Sequence, residues 1–241
     1  MKNLSWLAKV YILGTILIGL GLIVWIVVEL LDWTNTGLYL LAAFGAVAQT
    51  LKVEGPDDRT NYSIAWFVYG FAFIAFGPAA AIFVVVISHL VEWAWHKYPW
   101  YIQSFNLAAH GIPLLLAGLV FGAVNHGSQV LDLNGVMGMA GANLVFVLIN
   151  HLLVGVVVKL ARGQSFAESG VFRFITLFLD FTVLTMGATA VMVWNYNPFA
   201  SLLNILPLVL LYKALRVPAL EHQLQKMQKT DAQIELATAG D

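Results

Sequence analysis

Long apolar runs, separated by short polar or Gly/Pro-containing stretches, form the pattern of this chain. A helix needs about 20 apolar residues to cross the hydrocarbon core of a bilayer, within a range of about 17–25. Division of the chain at its polar and Gly/Pro stretches predicts eight spanning helices. They cover residues 7–30, 36–52, 62–77, 79–96, 103–123, 135–160, 171–194 and 198–214. We therefore expect an all-α, polytopic transmembrane helix bundle over residues 1–214.

The third and fourth predicted spans meet at "FIAFGPAAAIF", where Gly77–Pro78 either turns the chain or kinks one long helix. Proline cannot donate a backbone hydrogen bond, and it disfavours helical backbone in the residue before it. The sequence therefore predicts a turn between two spans.

The positions of lysine and arginine test this division, because basic residues collect in cytoplasmic loops. With a cytoplasmic N-terminus and eight crossings, all 12 basic residues fall on one side, and the opposite connections "DWTNTG", "FGP", "NHGSQVLDLNG" and "WNYNP" contain none. A fused third and fourth span would split that distribution. We expect both termini in the cytoplasm and the bundle in the plasma (inner) membrane.

Two further residue classes fit a membrane bundle. Tryptophans near predicted span ends are expected to be interfacial anchors; they are Trp33, Trp66, Trp93, Trp95, Trp100 and Trp194. Small residues in "GTILIGLG", "AAFGAVA", "GMAGA" and "GATA" predict close approach of helices.

Composition narrows the function classes. The chain is 60% hydrophobic and 10% charged, with net charge −1, which excludes an ordinary soluble domain and gives no basic surface for nucleic acid. The absence of cysteine excludes disulfides, thiolate metal sites and cysteine nucleophiles. No Gly-rich phosphate loop, nucleophile elbow or HExxH motif occurs, so we expect no enzymatic activity from this chain.

Polar residues inside the predicted spans are the candidates for function, since an ionisable group at membrane depth is costly unless paired. These ligand-pocket candidates are Asp180, His110, Asn106, Asn143, Asn150, His151 and Asn204. Either they converge on one polar pocket that binds a small ligand, or they bond one another between helices, at about 0.6 kcal/mol per pair.

The segment "HLVEWAWH" places His89, Glu92 and His96 on one helical face. Histidine and glutamate at such spacing can bind zinc or iron in a bundle. The alternative is a set of interfacial residues at the end of a span. A haem held by His110 and His151 is a further alternative, and no cofactor is predicted.

The C-terminal segment 215–241 predicts a cytoplasmic amphipathic helix. Its apolar positions repeat with steps of four and three, and Asp231 fills one of the slots; they are Leu220, Leu224, Met227 and Ile234. Such a stripe is typical of a short coiled coil and favours a homodimer. The alternative is a frayed tail, because the stripe covers barely two heptads.

Two stretches carry a family resemblance. "LEHQLQKMQKTDAQIELATAG" is similar to linkers that join membrane sensor regions to bacterial GGDEF output domains. "SIAWFVYGFAFIAFGPAAAIFVVVISHL" followed by "FNLAAHGIPLLLAGLVFGAV" resembles the N-terminal membrane region of cyclic-di-GMP signalling proteins of the HD-GYP and GGDEF classes. These regions are distantly similar to the substrate-binding subunits of energy-coupling-factor vitamin transporters.

The resemblance implies a sensory, signal-transducing membrane module that couples a polar pocket to a cytoplasmic output domain or partner protein. Such a chain is either a fragment of a longer protein or a separate subunit. The alternatives are a substrate-binding subunit of a small-solute transporter and a structural membrane scaffold.

Overall fold

The computed structural model describes residues 1, 4–54, 61–127, 132–197 and 199–214, together with 216, 217, 220, 221, 224 and 228. Its helices are α1 (Trp6–Leu30), α2 (Thr36–Thr50), α3 (Ala65–His96), α4 (Trp100–Asn125), α5 (Leu133–Arg162), α6 (Phe166–Ser169) and α7 (Phe174–Tyr196), followed by a 3-10 turn (Ala200–Asn204) and α8 (Ile205–Ala214). Two-residue strands β1 (Val53–Glu54) and β2 (Asn61–Tyr62) form an antiparallel pair. The predicted all-α class is confirmed.

Five helices, α1, α3, α4, α5 and α7, are long and apolar enough to cross a membrane. Large apolar side chains also cover the outside of the bundle; Leu17 is 73% exposed and Leu119 is 70% exposed. Such a surface is incompatible with water but suits lipid. The chain is therefore an integral membrane protein.

Two of the predicted spans are shorter than expected. The prediction of residues 36–52 corresponds to α2, which has 15 residues. The prediction of one helix over 198–214 was wrong, because a 3-10 turn precedes α8. Asn197, which comes before Pro198 in the sequence, is extended (φ −154°, ψ 106°) and ends α7.

Helix α3 reverses direction at Gly77, whose backbone is not helical (φ 84°, ψ 177°). In one continuous helix Tyr69 and Glu92 would lie about 34 Å apart, at 1.5 Å per residue. Instead both contact Gln49, whose Oε1 accepts from Tyr69 Oη at 3.3 Å and whose Nε2 donates to Glu92 at 2.9 Å. The predicted turn is confirmed, and residues 65–76 and 78–96 form a helical hairpin.

Glycine allows α2 and α7 to approach this hairpin closely. A Cβ at Gly45 of α2 would lie 2.6 Å from Ser88 Oγ and 3.7 Å from Val68 Cγ1, so α2 touches both arms. A Cβ at Gly187 of α7 would collide with the carbonyl of Phe67. The small-residue segments "AAFGAVA" and "GATA" therefore pack helices together, as predicted.

The two ends of the bundle differ in charge. Ser5 Oγ, at the start of α1, donates to the Leu160 carbonyl near the end of α5 at 3.3 Å, and Lys52, after α2, pairs with Glu92 in α3. We call this the basic end. It carries Lys9, Lys52, Lys97, Lys159, Arg162 and Arg173, the last four of which cap or end α3, α5 and α7.

The opposite end contains the Gly77 reversal and the α1–α2 turn. In that turn Asp32 accepts hydrogen bonds from Thr34 Oγ1 at 2.7 Å and from Thr34 N at 3.0 Å. These two donors hold the pKa of the Asp32 carboxyl below its usual range. No basic residue occupies the α1–α2 turn (31–35), so the charge asymmetry of the sequence is preserved in the fold.

The reversal at Gly77 gives the first prediction. Gly77→Ala should lower the stability of the bundle by about 1–3 kcal/mol, because residues with a Cβ rarely adopt this backbone conformation. The matched control is Gly21→Ala in α1. At both positions a Cβ would have no atom within 4 Å, but Gly21 is helical. Thermal unfolding in detergent measures both variants, and equal stability of the two would show that the backbone of Gly77 is not constrained.

Candidate functional site

A polar cavity lies inside the bundle, towards the basic end. Its volume is about 230 Å³, which is large enough for several waters or a small solute. Side chains from α2, α3, α4, α5 and α7 and from the connections line it. They are Gln49, Lys52, Ser63, Trp66, Asn106, His110, Asn150, His151, Val154, Val171, Thr176 and Asp180.

Five of the seven ligand-pocket candidates lie on this cavity: Asp180, His110, Asn106, Asn150 and His151. The other two lie elsewhere. Asn143 donates from Nδ2 to Thr185 Oγ1 at 3.1 Å, which joins α5 to α7. Asn204 ends the 3-10 turn that follows α7 and is not among the lining residues. Five of the candidates therefore line a cavity, whereas Asn143 forms a hydrogen bond between helices.

His151 and Asp180 form a buried pair between α5 and α7. The distance between His151 Nε2 and Asp180 Oδ2 is 2.8 Å, and the residues are 5% and 8% exposed. His151 Nδ1 lies 2.7 Å from the backbone oxygen of Val171. Both ring nitrogens of His151 are thus engaged by protein atoms, and neither is open to a haem iron.

The α5–α7 connection positions that backbone oxygen. α6 begins with a capping box, in which Ser165 Oγ accepts from Glu168 N at 3.2 Å and Glu168 accepts from Ser165 N at 2.8 Å, and Gly170 (φ 72°) turns the chain after it. The connection packs on α5 at Gly155, where a Cβ would lie 2.7 Å from Phe172 and 2.9 Å from Phe166. The small residue at 155 therefore lets the connection pack closely on α5, where Val171 lines the cavity.

A second buried cluster surrounds Glu92, whose side chain is 0% exposed. One carboxylate oxygen pairs with Lys52, which lies at the rim with 23% of its side chain exposed. The other oxygen lies 2.9 Å from Gln49 Nε2, 3.1 Å from His89 Nδ1 and 3.3 Å from Gln103 Nε2. One carboxylate thereby joins α2, α3 and α4.

His110 lies between the two groups. Its Nδ1 is 2.8 Å from the backbone oxygen of Asn106, and its ring centroid is 4.8 Å from that of His89. Trp66 packs edge-on against His110 (5.8 Å) and against His151 (6.3 Å). The prediction that Trp66 is an interfacial anchor was wrong, because it is 6% exposed and forms the cavity wall.

The structure separates His96 from the other members of the proposed metal set. His96 is exposed and stacks on Tyr98 at 5.4 Å, while His89 and Glu92 point into the bundle. Within the residues that the structure describes, no three histidine, aspartate or glutamate side chains are grouped to hold a metal ion.

Sequence reasoning missed Gln49, Lys52, Ser63, Thr176 and, as a pocket residue, Trp66. All five lie within a few residues of a helix end, where polar or aromatic side chains are ordinary. A signal was present in "AVAQTLK", because Gln49 occurs four residues after Gly45 on the same face of an apolar helix.

Comparison of the chain with protein-family models, with curated proteins and with solved structures gives no significant match. The function is therefore inferred from the site itself.

The Glu92 cluster gives the second prediction. Removal of one partner of a buried ion pair costs about 3–5 kcal/mol, so Glu92→Ala should strongly destabilise the protein. Lys52→Gln should also destabilise the protein, because the buried Glu92 carboxylate keeps three hydrogen-bond donors but loses its cation. Thermal unfolding in detergent ranks the variants.

The control for this ranking is Glu29→Ala, which removes a carboxylate from an exposed position of α1. It should leave the unfolding temperature close to that of the wild type. If Glu29→Ala lowered the unfolding temperature as much as Glu92→Ala does, the buried cluster would contribute no more to stability than an exposed carboxylate.

Proposed function

We propose that this protein is a sensory module of the plasma membrane that binds a small polar solute in the cavity and signals through its C-terminal helix. One observation supports this proposal most directly: polar side chains from five helices converge on one cavity inside an otherwise apolar bundle. Interhelical bonding alone does not require an open volume between the partners. A binding site does.

The proposal includes an orientation. Basic residues mark the cytoplasmic side of membrane proteins, so the basic end faces the cytoplasm. The chain then crosses eight times, with both arms of α3, the short α2 and α8 counted as crossings, and both termini are cytoplasmic. Lys52 lines the cavity and is partly exposed at the basic end, so we expect the entrance of the cavity on the cytoplasmic side.

The shape of the site is compatible with sensing and with transport. A transporter must give its solute access to both faces of the membrane. Towards the opposite end from the cavity, buried apolar side chains such as Phe73, Leu114 and Leu184 pack in the described core. An alternating-access transporter is also closed at one face in any single conformation, so the transporter subunit is the second candidate, and the apolar C-terminal stripe is what favours the sensor.

The output half of the proposal rests on the C-terminal stripe. Leu220 and Leu224 are helical and outward-facing, with 44% and 54% exposure. Met227 and Ile234 lie outside the described residues. An apolar stripe that leaves the membrane is suited to pairing with a second copy of the chain, and that pairing carries the signal to a downstream partner.

Cysteine crosslinking in native membranes tests the proposal, because the chain contains no cysteine. We expect single cysteines at Leu220, Leu224, Met227 and Ile234 to crosslink strongly, and a cysteine at Glu221, which is off the stripe, to crosslink weakly. Equal yields along the segment would contradict an output helix and move the transporter candidate ahead.

The same assay tests the link between cavity and output. Asn150→Ala alters the cavity, whereas Asn143→Ala changes the same residue type on the same helix, away from it. We expect Asn150→Ala to change the crosslinking yield at Leu224 about twofold or more, because coupled sites share one conformational equilibrium. Asn143→Ala should leave the yield unchanged. An equal change in crosslinking yield for both variants would show that the cavity is not coupled to the C-terminal helix.

A further inference from the structure

The hydrogen atoms on the cavity wall can be assigned from the partners of each polar group. A backbone carbonyl only accepts, so a histidine nitrogen that faces one must carry a hydrogen. His151 Nδ1 faces the Val171 oxygen at 2.7 Å, and His110 Nδ1 faces the Asn106 oxygen at 2.8 Å. Both rings therefore carry hydrogen on Nδ1.

This assignment leaves one shared proton in the His151–Asp180 pair. The 2.8 Å contact between His151 Nε2 and Asp180 Oδ2 needs a hydrogen, since two lone pairs at that distance repel. Either the histidine is an imidazolium beside a carboxylate or the acid is protonated beside a neutral ring. In both arrangements the pair as a whole is neutral.

Donors and acceptors both line the cavity. Asn150 Nδ2 donates to the Ala109 oxygen at 2.7 Å, and Ser63 Oγ donates to Gln49 Oε1 at 3.0 Å. Lys52 pairs with Glu92 through one of its three N–H groups. The acceptors on the wall that have unused capacity are Asn150 Oδ1, the Nε2 of His110 and the carboxylate of Asp180.

The paired charges of the cavity disfavour an anion. The cavity is neutral as described, because each charged group on its wall has an opposite partner. An anion would add an uncompensated negative charge at membrane depth, which is costly. A cation that displaces the shared proton keeps the site neutral. Trp66 also borders the cavity, and an indole ring attracts cations.

We propose that the cavity binds a small organic cation bearing an ammonium group, in exchange for the proton shared by His151 and Asp180. The ammonium N–H groups then donate to the Asp180 carboxylate, to the Nε2 of His151 and to Asn150 Oδ1, so that no two lone pairs are left facing each other, and one proton leaves for each cation that enters. No bond other than the N–H or O–H of the released proton breaks. This inference rests on the proposed binding function and names its ligand class.

Other titratable groups surround the exchange site. His110 of α4 and Lys52 lie on the same cavity wall, and Glu92 and His89 lie behind them in α3. Strand β2, which packs against α7, carries Tyr62. His110 is the histidine of this set that lines the cavity, so the test includes a His110→Gln variant.

The test uses three probes of similar size with different charge: methylammonium, acetate and acetamide. Binding to the purified full chain is measured in detergent as the rise in unfolding temperature, at constant ionic strength and at pH values near 6 and 8. We expect methylammonium alone to stabilise the protein. Its apparent Kd should fall by up to about tenfold per pH unit, because one proton is exchanged.

Four variants test whether methylammonium binds in the cavity. Asn150→Ala should weaken methylammonium binding about tenfold or more, and Asn143→Ala should not. Asp180→Asn should abolish both binding and its pH dependence, while His110→Gln should keep the pH dependence. If Asp180→Asn does not fold, the Asn150 and Asn143 comparison still decides the location.

The outcomes separate this inference from the proposed function. Stabilisation by acetate or acetamide that depends on Asn150 would overturn the cation class and leave solute binding intact. Methylammonium binding with no pH dependence would overturn the proton exchange. No stabilisation by any of the three probes would also overturn the cation class, and the crosslinking assay would then decide the sensory function by itself.

Discussion

Two carboxylates inside a bilayer, Glu92 and Asp180, need partners that the surrounding lipid cannot supply, and the structure is arranged around that need. Glu92 receives a cation and three hydrogen-bond donors from α2, α3 and α4. Asp180 receives a histidine from α5. Each carboxylate thereby fixes the relative positions of several helices at the basic end, where apolar packing alone is not directional.

The two clusters are held by different means. The Glu92 oxygens are saturated by side chains, so this group has little capacity left for a ligand. The His151–Asp180 pair borders open volume and shares one proton. A carboxylate with all its partners inside the protein suits a structural role, and a pair that borders a cavity suits a binding site. In our proposal, stability and ligand binding are therefore assigned to neighbouring groups of one bundle.

Much of this was accessible from the sequence. Hydropathy gave the helices nearly to their ends, Pro78 indicated the reversal, and the isolated polar residues Asp180, His110 and His151 pointed to the cavity. The rest depended on distances between helices that no local pattern contains. Glu92 resembled an interfacial residue because its partners Gln49 and Gln103 lie in other helices. Asn143 and Asn150 are the same residue type on the same face of α5. Their different roles depend on the helices that pack against each of them, which the local sequence does not specify.

The hairpin in α3 has a consequence for how the chain is threaded during synthesis. Its two arms, 65–76 and 78–96, begin and end at the same face of the bundle, so together they add an even number of crossings. The depth to which the shorter arm enters the bilayer therefore does not change the orientation of the helices that follow. A segment of only 12 residues can sit shallowly at first and deepen as α7 packs against it, without any inversion of the helices that follow.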